Sequence, residues 1–187
     1  TLPTEKLAGN NIEMQPYYTI MQLPEQKEEE FLLMLPFTPN RKNNMISWLA
    51  ARSDQEDYGK LLLYKFPKQR LIYGPMQIES RIDQNSTISR QLSLWDQKGS
   101  RVIRGNLLVI PIGNSILYVE PIYLQSDQSE LPEMKRVVVS NGNRLVMAKN
   151  LDLAFGKLFK GEAEAPTPPE EEVEQEIIGV KNLTERA

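Results

Sequence analysis

The chain contains no cysteine and no histidine in its 187 residues. Without cysteine there can be no disulfide, thiol nucleophile, iron–sulfur cluster or cysteine zinc site. That absence fits any compartment and so fixes no redox address. Without histidine, Ser-His-Asp catalysis, imidazole metal sites and the usual general base are excluded. Only carboxylates, Lys, Tyr, Ser and Thr remain for acid–base or nucleophilic work. Long hydrophobic runs are also missing: no window of about 18 apolar residues occurs, so no segment reads as a membrane span. The first ten residues, TLPTEKLAGN, have no apolar h-region and do not read as a signal peptide. They also lack an initiator Met, which suggests an excised fragment or a processed chain. None of the 10 glycines builds a P-loop or a dinucleotide fingerprint. Basic residues are scattered and the net charge is −3, which argues against a nucleic-acid partner. No cofactor is expected.

What is present is organised around Arg101 to Leu124, RVIRGNLLVIPIGNSILYVEPIYL. Two β-branched-rich runs flank Gly113-Asn114, a two-residue hairpin signal. A turn there pairs Ile112 with Ser115, Ile110 with Leu117 and Leu108 with Val119, and sets Leu107 opposite Glu120. Pro111 falls at a non-hydrogen-bonded site. Pro121 falls at a bonded site opposite Asn106, so regular pairing should stop or bulge there. Leu107 to Ile110 is apolar at every position, which predicts a strand covered on both faces and the centre of the core.

Taken in order, residues 1–14 read as a lead-in with little periodicity. Gln15 to Leu23 and Phe31 to Phe37 read as strands across a charged loop, followed by Met45 to Ala51 and Lys60 to Phe66. Leu71 to Tyr73 reads as a further short strand. Pro75 opens a helical part: one helix to Gln84, then a second capped by Asn85 or Ser86, with Gly99 as its stop. Asn141-Gly142 signals a second hairpin, placing Val138 opposite Leu145 and Val137 opposite Val146. Asn150 can cap a last helix, Leu151 to Lys160. Residues 161–187 are acidic and proline-rich, too poor in apolar residues to order themselves, with a helical turn near Val173 to Ile178. The expected architecture is α+β: a mostly antiparallel sheet of hairpins in residues 15–160, with a two-helix insertion at 75–98 and a closing C-terminal helix.

Three groups of residues could carry chemistry. Glu79 and Asp83, four apart on a helix, share a face and could act as acid and base; the plainer reading is a solvated helix face. Glu120 lies inside an apolar hairpin, where burial would raise its pKa unless a cation such as Arg101 or Arg104 meets it. The loop SDQEDYG places Asp54, Glu56 and Asp57 together like alternate calcium ligands, but lacks the rest of a twelve-residue calcium loop. Tyr17, Tyr18, Trp48, Tyr58, Tyr64 and Tyr73 could form an aromatic platform for sugar or single-stranded nucleic acid, although aromatics on strands are more often core or cross-strand pairs.

Long phrases, among them GPMQIESRIDQ and RGNLLVIPI, resemble the C-terminal soluble part of uncharacterised protein family 0182 (UPF0182). Its members are large bacterial and cyanobacterial integral membrane proteins of unknown function. The likeness covers most of 15–160. It implies attachment to a membrane through N-terminal spans that this chain does not contain, and an extracytoplasmic position; it brings no catalytic residues. The favoured reading is a non-catalytic soluble domain serving interaction or assembly, with a protein partner or self-association. The alternatives are a glycan- or peptide-binding module using the aromatics or a sheet edge, and a carboxylate-dependent hydrolase centred on Glu120 or on Glu79 and Asp83. A pocket holding two carboxylates would favour the hydrolase, an exposed row of tyrosines the glycan, and a contiguous apolar patch the partner surface.

Overall fold

A computed structural model describes residues 1–7, 10–23, 26–54, 56–112, 115–129, 131–142 and 144–160. The acidic segment 161–187, its suggested helical turn, and the turn residues Gly113 and Asn114 lie outside the described residues.

The longest strand, Ser115–Ser126 (β9), organises the larger sheet. Strands Ser100–Arg104 (β7) and Leu108–Ile112 (β8) pair antiparallel with its same edge, one after the other. The β8 register is the expected one, Ile112 with Ser115, Ile110 with Leu117 and Leu108 with Val119. The hand-over from β8 to β7 falls at residues 105–107, opposite Pro121, where regular pairing was expected to stop. Gly105 N–H still donates to Pro121 O at 2.9 Å. On the other edge of β9 lies Glu133–Ser140 (β10), followed by Leu145–Ala148 (β11).

The β10–β11 register differs from the sequence-based one. Val138 pairs with Met147 and Val139 with Val146, so the turn holds four residues rather than two. Local polar bonds select the longer turn: Asn141 Oδ1 accepts from Arg144 N at 2.9 Å, and Ser140 Oγ donates to Arg144 O at 2.8 Å. A shift of two keeps every side chain on its expected face.

A smaller sheet contains Tyr17–Gln22 (β3), Glu29–Phe37 (β4), Ser47–Arg52 (β5) and Leu61–Lys65 (β6), paired in chain order. The expectation of a strand at Leu71 to Tyr73 is not met; one bridge, Ile72 to Met45, stands there. The first fourteen residues are not featureless: Thr4–Leu7 (β1) and Asn10–Glu13 (β2) pair as a short hairpin, and Met14 joins the core.

Pro75–Gln84 (α1) and Ser86–Trp95 (α2) form the insertion. Asn85 Oδ1 accepts from Ile88 N at 3.0 Å and caps α2, which ends before Gly99; that glycine instead turns the chain into β7 with φ +102°. Leu151–Phe155 (α3), capped by Asn150, runs into a π-helical turn, Gly156–Lys160. Arg144 donates to the carbonyls of Leu158 and Lys157 at 2.7 and 2.9 Å and so satisfies that helix end.

The five-stranded sheet is covered on both faces. Ile116, Tyr118, Ile122, Leu107 and Val109 face α1 and α2 through Ile78, Ile82 and Ile88. Leu117, Val119, Val137 and Val139 face Ala154 and Leu158 of the closing helix, with Leu108 and Ile110 packed against them. The apolar run Leu107 to Ile110 is thus sandwiched, as its unbroken pattern requires. The α+β class and the antiparallel hairpins stand as expected.

Candidate functional site

Along β9 the alternation places Glu120 on the same face as Tyr118 and Ile122, beneath α1. The partner of Ile122 on β7 is Arg104, so Arg104 shares that face. Helical spacing turns Glu79 and Asp83 of α1 toward it, one turn apart. The result is one guanidinium serving three carboxylates. Arg104 Nε donates to Glu120 Oε1 at 2.5 Å, and Nη2 donates to Glu120 Oε2 at 2.8 Å. Nη2 also donates to Glu79 Oε2, and Nη1 donates to Asp83 Oδ1 at 2.7 Å. Glu79 and Glu120 are wholly buried, while Asp83 sits at the rim. The three acids that the sequence singled out in two separate groups therefore meet at one cation. Of the two cations considered for Glu120, it is Arg104 that meets it.

The electrostatics follow from the geometry. Burial by itself would lower the pKa of Arg104. The two bonds to Glu120, with the charges of Glu120, Glu79 and Asp83, outweigh it and hold the guanidinium firmly protonated. A fourth acid lies close by. Glu5 on β1 is buried; its Oε2 accepts from Leu107 N at 3.1 Å, and its Oε1 has no hydrogen-bond partner among the described residues. Desolvation pushes its pKa up, against the pull of the Leu107 bond, and the Glu120 charge adds to the rise. No sequence pattern pointed to Glu5, because the segment around it carries no periodicity.

The two glutamates of this cluster are closed off from solvent. Both oxygens of Glu120 are held by the guanidinium, and neither Glu120 nor Glu79 reaches solvent. A shallow depression of about 390 Å³ touches Arg104, but neither buried glutamate lines it. Proton transfer requires a carboxyl within hydrogen-bond reach of a substrate, and of the three acids only Asp83, at the rim, meets solvent.

Of the three loop acids, Asp57 is met by cations. Asp57 bridges Arg52, at 2.5 Å, and Lys60. The Lys60 hydrogen bond, with Arg52 beside it, holds the Asp57 carboxyl below its usual range despite some desolvation. Arg52 also donates to Glu30 Oε2 at 2.6 Å, and this bond chiefly raises its own pKa. Asp54 accepts from Phe31 N at 3.1 Å, and Glu56 is exposed. No cluster of three or more acids able to hold a metal ion occurs among the described residues.

The six aromatics do not make one platform. Tyr17 is inside, its hydroxyl bonded to the Val109 carbonyl at the open edge of β8. Tyr18 stacks on Phe31 at 4.9 Å, and Trp48 on Tyr64 at 5.2 Å. Tyr73 lies under the Arg81 guanidinium at 5.1 Å, and Tyr58 is exposed in its loop.

The smaller sheet carries a feature that was not anticipated. Cross-strand partners share a face, so register alone defines its outer surface. One row reads Tyr18, Leu33, Ala51, Leu61; beside it run Ile20 with Phe31, and Leu35, Leu49, Leu63. Ile20 is 66% exposed, Leu61 64% and Leu63 55%. The opposite face, with Leu32, Met34, Trp48 and Ala50, forms a core cluster of its own. The middle of the outer face is thus apolar across all four strands, with Gln22, Glu29, Ser47 and Lys65 at its ends, and Tyr18, Ile20, Phe31, Leu61 and Leu63 on it are exposed.

Comparison with known proteins adds the setting. A UPF0182 protein of Desulforamulus reducens is 62% identical over 159 residues, covering 85% of this chain and 17% of the relative. One from Pelotomaculum thermopropionicum is 59% identical over 158 residues, covering 84% and 17%. Another, from Trichodesmium erythraeum, is 56% identical over 183 residues, covering 98% and 20%. The chain therefore spans about one-fifth or less of the length of these curated relatives. No solved structure matches it significantly. No helix among the described residues is long and apolar enough to cross a membrane. The model of the uncharacterised protein family UPF0182 matches residues 1–95, half of the chain, and the chain belongs to that family.

Proposed function

We propose that this chain is a non-catalytic, extracytoplasmic domain of a multi-span membrane protein, and that it serves assembly by docking onto the remainder of the same polypeptide. The observation that carries this reading is the outer face of the β3–β6 sheet. Solvent-facing antiparallel sheets normally alternate apolar with polar residues. Here the outward positions of β4 after Glu29 are Phe31, Leu33, Leu35 and Phe37, and their neighbours on β3, β5 and β6 are mostly aliphatic or aromatic, with Gln22, Ser47 and Lys65 at the ends of the face. An exposed apolar surface of this kind marks an interface. About four-fifths of each matched relative lies outside the segment that this chain covers, which is ample to cover it. The engagement of Glu120, Glu79 and Asp83 with Arg104 supports the non-catalytic part. Membrane attachment and sidedness rest on the family resemblance.

Cysteine labelling tests all of this, because the chain has no cysteine of its own. Leu63→Cys and Tyr58→Cys are introduced separately into the full-length protein, with any other cysteine replaced. In the isolated chain both sites should react with a membrane-impermeant maleimide. In intact cells Tyr58→Cys should still react, whereas Leu63→Cys should be protected until the protein is unfolded. Equal labelling of Leu63→Cys in the chain and in the full-length protein would refute the docking; no labelling of Tyr58→Cys before the cells are opened would refute the sidedness.

A further inference from the structure

Strand β6 ends the smaller sheet, and little on its free side blunts the edge. Arg52 N donates to Lys60 O and Phe66 N to Ile46 O, so the even-numbered residues of β6 bond to β5. Alternation then turns the N–H and C=O of Leu61, Leu63 and Lys65 away from β5, into the open edge. Edge strands are normally guarded by proline, a bulge, a charge or a covering element, because unpaired backbone groups recruit another strand. β6 has no proline, no bulge and no charge before Lys65 at its end. It is also exposed on both faces. Leu61 and Leu63 look outward, and on the inner side Leu62 and Tyr64 are still 37% and 42% exposed. The two ends of the strand differ in charge. The loop that leads into it holds Asp54, Glu56 and Asp57, with Glu30 of β4 beside them, and Arg52 and Lys60 offset part of that charge. The other end carries Lys65 and Lys68, and no acid occurs from Lys60 to Gln77.

We propose that β6 is a self-association edge, pairing antiparallel with β6 of a second copy of this chain and joining the two smaller sheets into one. One register leaves none of the three open-edge residues unpaired. It sets Leu63 opposite Leu63 of the second copy and Leu61 opposite Lys65, with two backbone hydrogen bonds at each facing pair. Leu62 then faces Tyr64 of the second copy at a non-hydrogen-bonded site, where side chains approach closest, so the half-exposed inner residues gain cross-strand partners. Charge selects the antiparallel sense. It brings the acidic loop of each copy against the Lys65 and Lys68 end of the other, and two-fold symmetry makes that contact twice. Parallel pairing would set acid beside acid and base beside base. The claim is independent of the docking of the outer face: the edge bonds lie in the plane of the sheet and leave that face open on both copies. The sequence marked Lys60 to Phe66 as a strand, but its place at an edge depends on the order of strands in the sheet.

Sedimentation velocity on the whole chain tests this. The 21.5 kDa chain should approach twice that mass as its concentration rises toward the millimolar range, more readily at low salt than at high. Hydrogen exchange followed by ¹H–¹⁵N NMR should show the amides of Leu61, Leu63 and Lys65 slowing as the dimer forms, with Leu62 and Tyr64 protected throughout. Leu63→Ala and Leu63→Pro both shorten the side chain, but only proline removes the edge N–H, at a site that makes no bond to β5. The proline variant should dimerise about thirtyfold more weakly than the alanine variant, the value of two net hydrogen bonds. Lys68→Glu and Glu56→Lys, both at exposed positions, test the sense of pairing without touching the strand. Each alone should dimerise less than the parent, and an equimolar mixture should recover as heterodimer, because every reversed end then meets its opposite. Ile20→Ser, on the outer face and away from this edge, should leave dimerisation unchanged. The proposal is overturned if the chain stays at 21.5 kDa throughout, including the case in which the three edge amides slow only in the full-length protein, where a strand from the rest of the polypeptide would be the occupant. It is equally overturned if the alanine and proline variants dimerise alike, if the charge-reversed pair does not recover on mixing, or if Ile20→Ser abolishes association and so routes it through the outer face.

Discussion

Replacing Arg104 by methionine removes the guanidinium that bonds two wholly buried glutamates. Methionine roughly preserves the apolar stem, so the change is chiefly electrostatic. Breaking a buried ion pair from one side costs about 3–5 kcal/mol, because the remaining charge is left uncompensated. Arg104 serves Glu120 through two bonds and Glu79 through a third, so the upper part of that range applies. Asp83 adds little, since its side chain is 42% exposed and screened. In a domain of this size each kcal/mol moves the melting temperature by about 2–4 °C. At about 4–5 kcal/mol, the loss at pH 7 should therefore be about 8–20 °C, read by circular dichroism. In the variant, Glu79 and Glu120 lose the Arg104 charge, and burial then favours their protonated forms in the folded state. The folded variant then binds more protons than the unfolded chain, so its stability rises as pH falls through the range where the two titrate. The gap to the parent should narrow between pH 7 and pH 4.5. Adding Glu79→Gln and Glu120→Gln to Arg104→Met should recover a large part of the loss at pH 7. A loss below about 1 kcal/mol, or no recovery in the triple variant, would mean that the cluster does not hold α1 to the sheet in the way argued.

Glu5→Gln should stabilise the chain at neutral pH. Its folded pKa is raised by desolvation, so ionisation above that value disfavours folding, and the gain over the parent should vanish as pH drops toward the ordinary carboxylate range; a melting-temperature difference constant from pH 4 to 7 would contradict this. Gly74→Ala should cost more than the about 1–3 kcal/mol of ordinary overpacking, because the new Cβ would stand 1.8 Å from the Asn43 carbonyl oxygen; urea unfolding measures it, and a neutral result would show that the α1 start is not fixed against that segment. Asn85→Ala should cost about 1 kcal/mol through loss of the bond from Ile88 N, with the same readout.

The legible parts of the fold were those fixed by local chemistry. The β8–β9 register followed from alternation on either side of a two-residue turn, and α1 began at Pro75 as its fixed φ dictates. The β10–β11 turn was misjudged because Asn141 and Ser140 compete for Arg144 through side-chain bonds that a dipeptide rule does not weigh. Strands β1 and β2 were missed for a different reason: a four-residue strand that buries a glutamate shows no hydrophobic period. At the site, the four-residue spacing placed Glu79 and Asp83 on one helix face, and the apolar hairpin marked Glu120 as an acid needing a cation. That both requirements would be answered by a single arginine on β7 depends on α1 crossing β7 and β9, which no local pattern encodes.

The two strands that are apolar at nearly every position offer the sharpest physical contrast in the molecule. An unbroken apolar strand is expected to be covered on both faces, since either face left to water would expose hydrocarbon. For Leu107 to Ile110 that expectation holds: one face meets the helical insertion and the other the closing helix. Phe31 to Phe37 has the same pattern, yet among the described residues only its inner face is covered, through Leu32 and Met34. The backbone does not explain the difference, because β4 is an interior strand with a partner on each side. Nor does the composition of its neighbours, which repeat the apolar choice across the outer face at Tyr18, Leu49, Leu61 and Leu63. Through the middle of the sheet all four strands place aliphatic and aromatic residues outward, and the docking proposed above would give them a non-aqueous neighbour from the rest of a polypeptide that, in the relatives, is five to six times longer than the matched segment.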